Sequence, residues 1–454
     1  KTNMAIEIFA VGGYGEVGRN MTAIKVGEEV FLFDMGLHMP NYIKYTEEEA
    51  TELKTHTREE LRKVKAIPDD TLISDWKSKV KAIITTHAHL DHIGAIPYLA
   101  EQYDAPIYCT PFTGEVLSAI VKDQKRKMPN RIRTMHPNSS MRITPNTELE
   151  FISITHSTPQ SVIAVLHTKE GIVAYTNDFK LDNDPILGQK PNYKGMEKIA
   201  EKGVAVAILD TLYADDERKT PSELVAREML RDVLLNVNNK GKAILVTTFS
   251  SHIARIKSIV EFSKKLGRKP VIIGRSLAKY LEAADNAGII HFANDVQVIK
   301  YASQARREIS NLMKKGIHKY VLITTGHLGE PRAVLSKMAD GILPFPFGKE
   351  DHVIFSCNVI PTDINKQLRE KLEEKLRVRG IRLFKGIHVS GHGGREDMRD
   401  LIHYLKPRNV IPAHSDKKVI DAFCNLAESL GYQRGRTLHP LLEGQKVTIQ
   451  GITK

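Results

Sequence analysis

The segment His87-Ala88-His89-Leu90-Asp91-His92 packs four metal-competent side chains into six residues, directly after the apolar run Val80-Lys81-Ala82-Ile83-Ile84-Thr85-Thr86. An apolar run of that length bounded by polar turns reads as a buried strand. Imidazole and carboxylate together suit zinc or a similar borderline divalent ion. A loop leaving a sheet edge can aim alternate residues at one point, so His87 and His89 can share one ion while Asp91 and His92 face a second. Few folds tolerate such a cluster unless further ligands close around it, so the rest of the chain must supply them.

At 454 residues the chain is too long for one ordinary core and implies two domains or three. Hydrophobic content of 41% and charged content of 26% fit a water-soluble globular protein and exclude a low-complexity or fibrous class. Lys+Arg of 66 against Asp+Glu of 54 gives a net charge of +12, with a pI near 9.3, which mildly favours a polyanionic partner. Cys109, Cys357 and Cys424 lie far apart with no paired spacing, which points to buried thiols in a reducing cytoplasm. No apolar stretch is long enough to span a bilayer and no secretory h-region opens the chain, so no membrane partner is expected.

Short alternating runs at Ala5–Val11, Met21–Val26 and Val30–Phe33 read as strands, the last ending in Asp34. Residues 42–65 turn abruptly to Glu, Lys, Thr and Arg, as a solvated surface insertion would. Strands resume at Val80–Thr85, Pro106–Cys109, Met141–Thr144, Leu149–Thr155, Ser161–His167 and Ile172–Thr176, with helices at Ile93–Gln102 and Thr113–Asp123. After the buried strand Ala205–Asp210, helices alternate with parallel-type strands through about Ile354, the signature of a second α/β domain. From Ile381 the earlier character returns, with strands at Ile387–Ser390 and Val410–Ala413. One domain is therefore inserted into another: 1–208 and 376–454 flank 209–375.

The missing ligands follow from these strands. His156, Asp178 and His414 all stand at carboxyl ends of apolar strands, as the 87–92 cluster does, and so can meet on one rim. Seven ligands then suffice for a dinuclear site, with His87, His89 and His156 on one ion, Asp91, His92 and His414 on the other, and Asp178 bridging. Two divalent ions about 3.5–4 Å apart can hold a hydroxide and clamp the attacking and leaving oxygens of a phosphodiester. Zinc is the expected metal, with manganese or magnesium as alternatives. Asp34 is expected to hold ligand imidazoles by hydrogen bonds. A decoy lies upstream: Gly13-Tyr14-Gly15-Glu16-Val17-Gly18 matches the dinucleotide-binding G-x-G-x-x-G. That fingerprint needs a helix immediately after the glycines. Here Met21–Val26 alternates as a strand, so a Gly-rich hairpin loop is the reading.

Asp34, His87–His92, His156, Asp178 and His414, in this order, resemble the metallo-β-lactamase hydrolases, an α/β class with an αββα sandwich. The inserted part resembles the beta-CASP module of their nucleic-acid-processing branch. More narrowly, Gly12–Asn20, Asp210-Thr211, Thr220-Pro221-Ser222-Glu223, Thr325–Pro331, His388–His392 and Ile411–His414 resemble ribonuclease J of the archaeal short type, over essentially the whole chain. The resemblance implies that Asp91, Asp210 and His392 do the catalytic work, with Asp210 and His392 an acid pair and His392 protonating the leaving oxygen. It implies that His388, Val389, Ser390, Gly391 and His392 bind a phosphate of RNA, and that Ser250, Ser251 and His252 hold the neighbouring 5′ phosphate at the start of a helix. Lys180, Arg255, Arg275 and Lys279 are candidate strand contacts. Two departures stand out: Asn177 replaces a glycine common before the bridging aspartate, and His327 replaces a small polar residue. The chain also lacks the extra C-terminal domain of bacterial members.

The function this implies is metal-dependent 5′-to-3′ exonucleolytic hydrolysis of single-stranded, 5′-monophosphorylated RNA in RNA processing and decay, with endonuclease activity as a companion mode and a homodimer as the assembly. A beta-CASP endoribonuclease and a small-molecule metallo-hydrolase are the alternatives. A non-catalytic RNA-binding subunit is a third, but such subunits have lost ligands that this chain retains.

Overall fold

The computed structural model describes residues 5–48, 56–292, 294–360 and 363–451. They fall into two compact units. One comprises Lys1–Asn183, Gln189–Thr220 and Gly391–Lys454, the other Asp184–Gly188 and Pro221–Ser390.

The first unit is built on two mixed sheets. In the seven-stranded sheet, Ala5–Gly12 pairs antiparallel with Lys446–Gln450 on one side and with Met21–Val26 on the other. Glu29–Phe33, Val80–Ile84, Ile107–Cys109 and Ile132–Thr134 continue it, parallel from Glu29–Phe33 onward. The six-stranded sheet runs Asn409–Ala413, Val204–Asp210, Gly171–Asn177, Val162–Thr168, Thr147–Ser153 and Ser139–Thr144. Its first three strands are mutually parallel. One core joins the two sheets: Phe31, Phe33 and Ile84 from the first pack with Phe151, Tyr175, Ile208 and Ile411 from the second. The outer face of the second sheet buries Ile163, Val165 and Leu209 against Met196, Met398, Leu401 and Phe423. Those residues come from the helices Tyr193–Lys202, Arg395–Leu405 and Lys417–Ser429. Alternating strands bury one face each. The near-continuous apolar run Val204–Asp210 is buried on both faces, as a strand between a sheet and a helical layer must be.

The second unit holds one six-stranded sheet, every neighbouring pair parallel. Its order is Gln297–Ile299, Lys269–Ile273, Tyr320–Thr324, Ile244–Thr247, His352–Phe355 and Arg382–Phe384. Chain order reverses about the central strand Ile244–Thr247. In open α/β sheets such a reversal opens a crevice at the strands' carboxyl ends. Among the described residues no helix is long and apolar enough to cross a membrane.

The sequence reading needs three corrections. Ile387–Ser390 is irregular backbone rather than a strand, which leaves its amides outside any sheet ladder. Ile93–Gln102 is not one helix but the turns Leu90–Ile93, Ile96–Leu99 and Ala100–Gln102. Pro97 starts the second of these, where its missing N–H is harmless. The 42–65 stretch is only partly a solvated insertion. The helix Arg58–Lys63 has a capping box between Thr57 and Glu60, buries Leu61 fully, and is tied down by Arg58, which donates to the Tyr98 carbonyl and to Glu101. Residues 49–55 lie outside the described residues.

Candidate metal centre

The His87–His92 cluster begins where the strand Val80–Ile84 ends, and a four-residue helical turn, Leu90–Ile93, follows it. The segment Asp34–Leu37 lies against that turn so closely that Met35 N–H donates to His92 O at 2.7 Å and Leu37 N–H to Leu90 O at 2.9 Å. Only glycine fits between them: a Cβ on Gly36 would sit 1.5 Å from the Asp91 carbonyl oxygen. Asp178, Asp210 and His414 arrive on three adjacent parallel strands of the other sheet. Their register, Asn177 opposite Leu209 and Asp210 opposite Ala413, delivers all three to the same edge.

The structure brings His87, His89, His156 and Asp178 together so that one ligand atom from each lies within 4.8 Å of every other. The same holds for Asp91, His92, Asp178 and His414. Asp178 belongs to both groups. Its Oδ2 is 3.1 Å from His92 Nε2, 3.5 Å from His87 Nε2, 3.6 Å from His156 Nε2 and 3.9 Å from His414 Nε2. Asp210 and His392 stand beside this ring rather than in it. His392 Nδ1 donates to Asp210 Oδ2 at 2.6 Å, while its Nε2 is 3.8 Å from Asp178.

Second partners fix which nitrogen of each imidazole faces the ring. His92 Nδ1 donates to Asp34 at 2.8 Å, and His156 Nδ1 donates to the Gly391 carbonyl at 2.6 Å. His414 Nδ1 lies 3.1 Å from Asn20 Oδ1, and His87 Nδ1 lies 3.0 Å from Thr86 Oγ1. In each case Nε2 is left pointing inward, and such partners also raise the basicity of the coordinating nitrogen. Asp34 is a hub. Fully buried, it also accepts from Thr86 N, Tyr175 OH and Asn177 Nδ2.

The donor set fits divalent cations. His87 Nε2 and Asp178 Oδ1 are buried without a hydrogen-bond partner. Unmatched buried polar atoms are costly and call for a ligand. Crowding shifts protonation in opposite directions around the ring. Burial and neighbouring imidazoles hold His89 and His156 well below the usual histidine range. Burial also opposes charge on His92, but Asp178, Asp91 and Asp34 outweigh it and raise its pKa well above that range. Burial would likewise raise Asp178, yet His414, His92 and His392 hold it well below the carboxylate range. His392 behaves like His92: burial is outweighed by Asp210 and Asp178, and its pKa is pushed up to about 9.

Sequence reasoning missed several residues that hold the ring. Asn20 donates to the Asp91 carbonyl at 2.9 Å as well as facing His414. It comes from the Gly-rich loop, whose Gly13 carbonyl accepts the His414 N–H at 2.7 Å. That loop leads into the strand Met21–Val26, with no helix start for a pyrophosphate. Asp397, fully buried, accepts from Leu181 N, Thr220 N and Gly394 N, holding the chain on either side of His392. Asn177 keeps the left-handed turn that a glycine would favour, at φ 33°, and its amide donates to Tyr175 OH at 2.7 Å.

In the second unit the helix is Ile253–Lys265, and its N-cap is His252, whose side chain accepts from Arg255 N–H, rather than Ser250 or Ser251. Ser250 Oγ lies 2.8 Å from Ser276 Oγ. His388 lies 3.3 Å from Arg255 Nη1. Two supposed strand contacts are interior residues instead. Arg255 is fully buried against Glu223, and Lys180 is 3% exposed with Asp182 nearby. Arg275 is exposed and Lys279 half-buried.

Comparison with known proteins agrees with this geometry. Residues 70–244 match the beta-lactamase superfamily domain, 241–372 the beta-CASP domain of ribonuclease J, and 377–437 the Zn-dependent metallo-hydrolase RNA specificity domain. The chain is 42% identical over 450 residues to ribonuclease J of Methanocaldococcus jannaschii, covering 99% of this chain and 100% of that one. It is 39% identical to ribonuclease J of Pyrococcus abyssi, with 98% of each covered. Ribonuclease J2 of Bacillus subtilis is 28% identical, over 96% of this chain and 73% of that one. A solved structure of a protein of unknown function from Enterococcus faecalis shares the fold, with a TM-score of 0.66 at 16% identity, covering 98% of this chain and 100% of that one. The two-sheet sandwich with its ring of histidines and aspartates, the inserted parallel sheet and full-length identity to two archaeal relatives make this chain a member of the ribonuclease J family, with a divalent-metal centre.

Proposed function

We propose that this chain is a metal-dependent ribonuclease that degrades RNA from its 5′ end, preferring a 5′ monophosphate, with endonucleolytic cleavage as a second mode. The observation that carries this reading is the pairing of an inward-facing His/Asp ring with an Asp210–His392 couple at its side. His87, His89 and His156 would hold one divalent cation, Asp91, His92 and His414 a second, and Asp178 both, with zinc favoured over manganese or magnesium by the nitrogen-rich donor set. Cations so held supply Lewis acidity and a nucleophile at neutral pH.

The protein's own part is positioning and proton control. Asp210 accepts the Nδ1–H of His392 and so stabilises the doubly protonated imidazolium, whose Nε2–H faces the ring. In that form His392 can hand its Nε2 proton to the leaving oxygen. The loop His388–His392 is irregular backbone, a conformation that suits an anion nest. A phosphate seated there would hold the RNA by its 5′ end, the basis of the expected end preference.

Charge supports a polyanionic substrate. Residues 221–390 carry 29 lysines and arginines against 16 aspartates and glutamates, while the remaining residues carry 37 against 38. The whole basic excess therefore sits in the inserted unit. Three buried free cysteines suit a cytoplasmic location. Homodimer assembly belongs to the same reading and is checked by light scattering of the purified protein.

The test is digestion of RNA labelled at either end and carrying a 5′ monophosphate, triphosphate or hydroxyl. Mononucleotides released first from the monophosphorylated end are expected. Internal fragments indifferent to end chemistry would leave only the endonuclease mode. No cleavage by metal-loaded protein would refute the reading.

A further inference from the structure

Arg255 and Arg19 are the largest fully buried side chains among the described residues, and the function above gives Arg255 no task. Its Nε donates to Glu223 Oε1 at 2.6 Å and its Nη2 to Glu223 Oε2 at 3.0 Å, a bidentate pair that locks the guanidinium plane. The remaining nitrogen, Nη1, is thereby aimed at the backbone leading into the 388–392 loop. It lies 2.9 Å from the Ser356 carbonyl, 3.1 Å from Ser356 Oγ, 3.5 Å from the Ile387 carbonyl and 3.3 Å from His388 Nδ1. Ser356 Oγ in turn donates to the Ile387 carbonyl at 2.9 Å.

A guanidinium has no acceptor and does not lose its proton in proteins. Nη1 shares its two hydrogens among these contacts, and where it meets His388 Nδ1 the imidazole nitrogen can only accept, which favours the ring form with no hydrogen on Nδ1. The neutral ring then has its hydrogen on Nε2. We propose that Arg255 is a positioning residue that fixes the tautomer and orientation of His388, so that this half-buried imidazole offers Nε2–H to a phosphate oxygen of the RNA. Glu223 acts one step further back, by holding Arg255. The inference rests on the reading that the 388–392 loop takes a phosphate.

Arg255→Lys keeps a cation for Glu223 but cannot span from Glu223 to His388. With the fold checked by circular dichroism, this variant should lose at least about tenfold of the preference for 5′-monophosphorylated over 5′-hydroxyl RNA, the scale of one charge-assisted hydrogen bond. The loss should fall on KM rather than kcat. Nitrogen-15 spectra of histidine-labelled protein should show His388 protonated on Nε2 in the parent and as a tautomer mixture in the variant. Should Arg255→Lys not fold, the double variant Glu223→Gln, Arg255→Met removes the pair together and is read the same way.

His388→Gln, whose amide nitrogen can stand where Nε2 does, should retain more of the preference than His388→Ala. An unchanged tautomer and an unchanged preference in the Arg255 variant overturn the inference. If His388→Ala itself leaves the preference intact, the phosphate reading of the loop fails instead, which is a different result.

Discussion

Asp178 in the sandwich is 2% exposed and has one carboxylate oxygen with no hydrogen-bond partner, whereas Glu223 in the inserted unit is 5% exposed and has both oxygens taken by Arg255. Both are buried acids, Asp178 directly after the strand Gly171–Asn177 and Glu223 as the first residue of the helix Glu223–Leu235. The first is surrounded by imidazoles that turn a lone pair inward. The second is matched to a guanidinium whose donors are all directed. An interior that leaves donor atoms unmatched is built to receive something, and one that matches them is built to hold its own chain still. The two units also differ in balance: the basic excess of the inserted unit has no counterpart in the sandwich.

The strongest attempt to break this contrast is Asp178→Asn. The variant should fold, bind less metal by elemental analysis, and lose at least about a thousandfold in RNA cleavage. Retained activity would mean that Asp178 is not shared between two ions. Glu223→Ala should do the opposite, costing about 3–5 kcal/mol of stability by denaturant titration, because Arg255 is then buried and unpaired.

The acid itself adds a pH signature. Burial alone would raise the Glu223 pKa, but His252 and Arg255 hold it below the usual value of 4.5. Its stabilisation is therefore complete above about pH 4.5 and is lost as pH falls towards the lower folded value. Glu223→Gln should flatten that acid limb in a melting series, and a slope unaltered by the change would sharpen the case against the pair. Asn20→Ala should be milder, weakening metal affinity about 10–100-fold, as loss of a ligand's supporting partner does. The smallest effect concerns charge. Arg307 in the inserted unit and Arg142 in the sandwich are 72% and 62% exposed. Reversing Arg307 to Glu should reduce the salt slope of RNA binding by about one, if it meets a phosphate, while Arg142→Glu leaves it unchanged. Equal responses would dissolve the division of charge between the units.

Much of this was readable from residue order. Strands announce themselves by alternation, and carboxyl ends of strands are where such sheets gather ligands, so His87–His92, His156, Asp178 and His414 could be grouped without coordinates. Partners that hold those ligands were less visible. Asn20 and Thr86 are ordinary turn residues in sequence, and only the approach of distant segments gives them their roles. Arg255 and Lys180 were misread because a basic residue carries no sign of whether its counterion is buried beside it. Ile387–Ser390 has the composition of a strand, but Gly391 and Gly393-Gly394 follow within a few residues, and the chain there is a loop. His252 caps the helix Ile253–Lys265 because its Nδ1 accepts from Arg255 N–H, a role its residue type does not announce.

The pairing of Ala5–Gly12 with Lys446–Gln450 joins the two extremes of the described polypeptide as neighbouring ribbons. On the ribosome, that seam can close only after Lys446–Gln450 has been made. His414, too, is among the late arrivals, so a nascent chain halted before it would lack one of the side chains proposed to hold metal. Order of synthesis thereby keeps the proposed centre unfinished until the last of its side chains has been made.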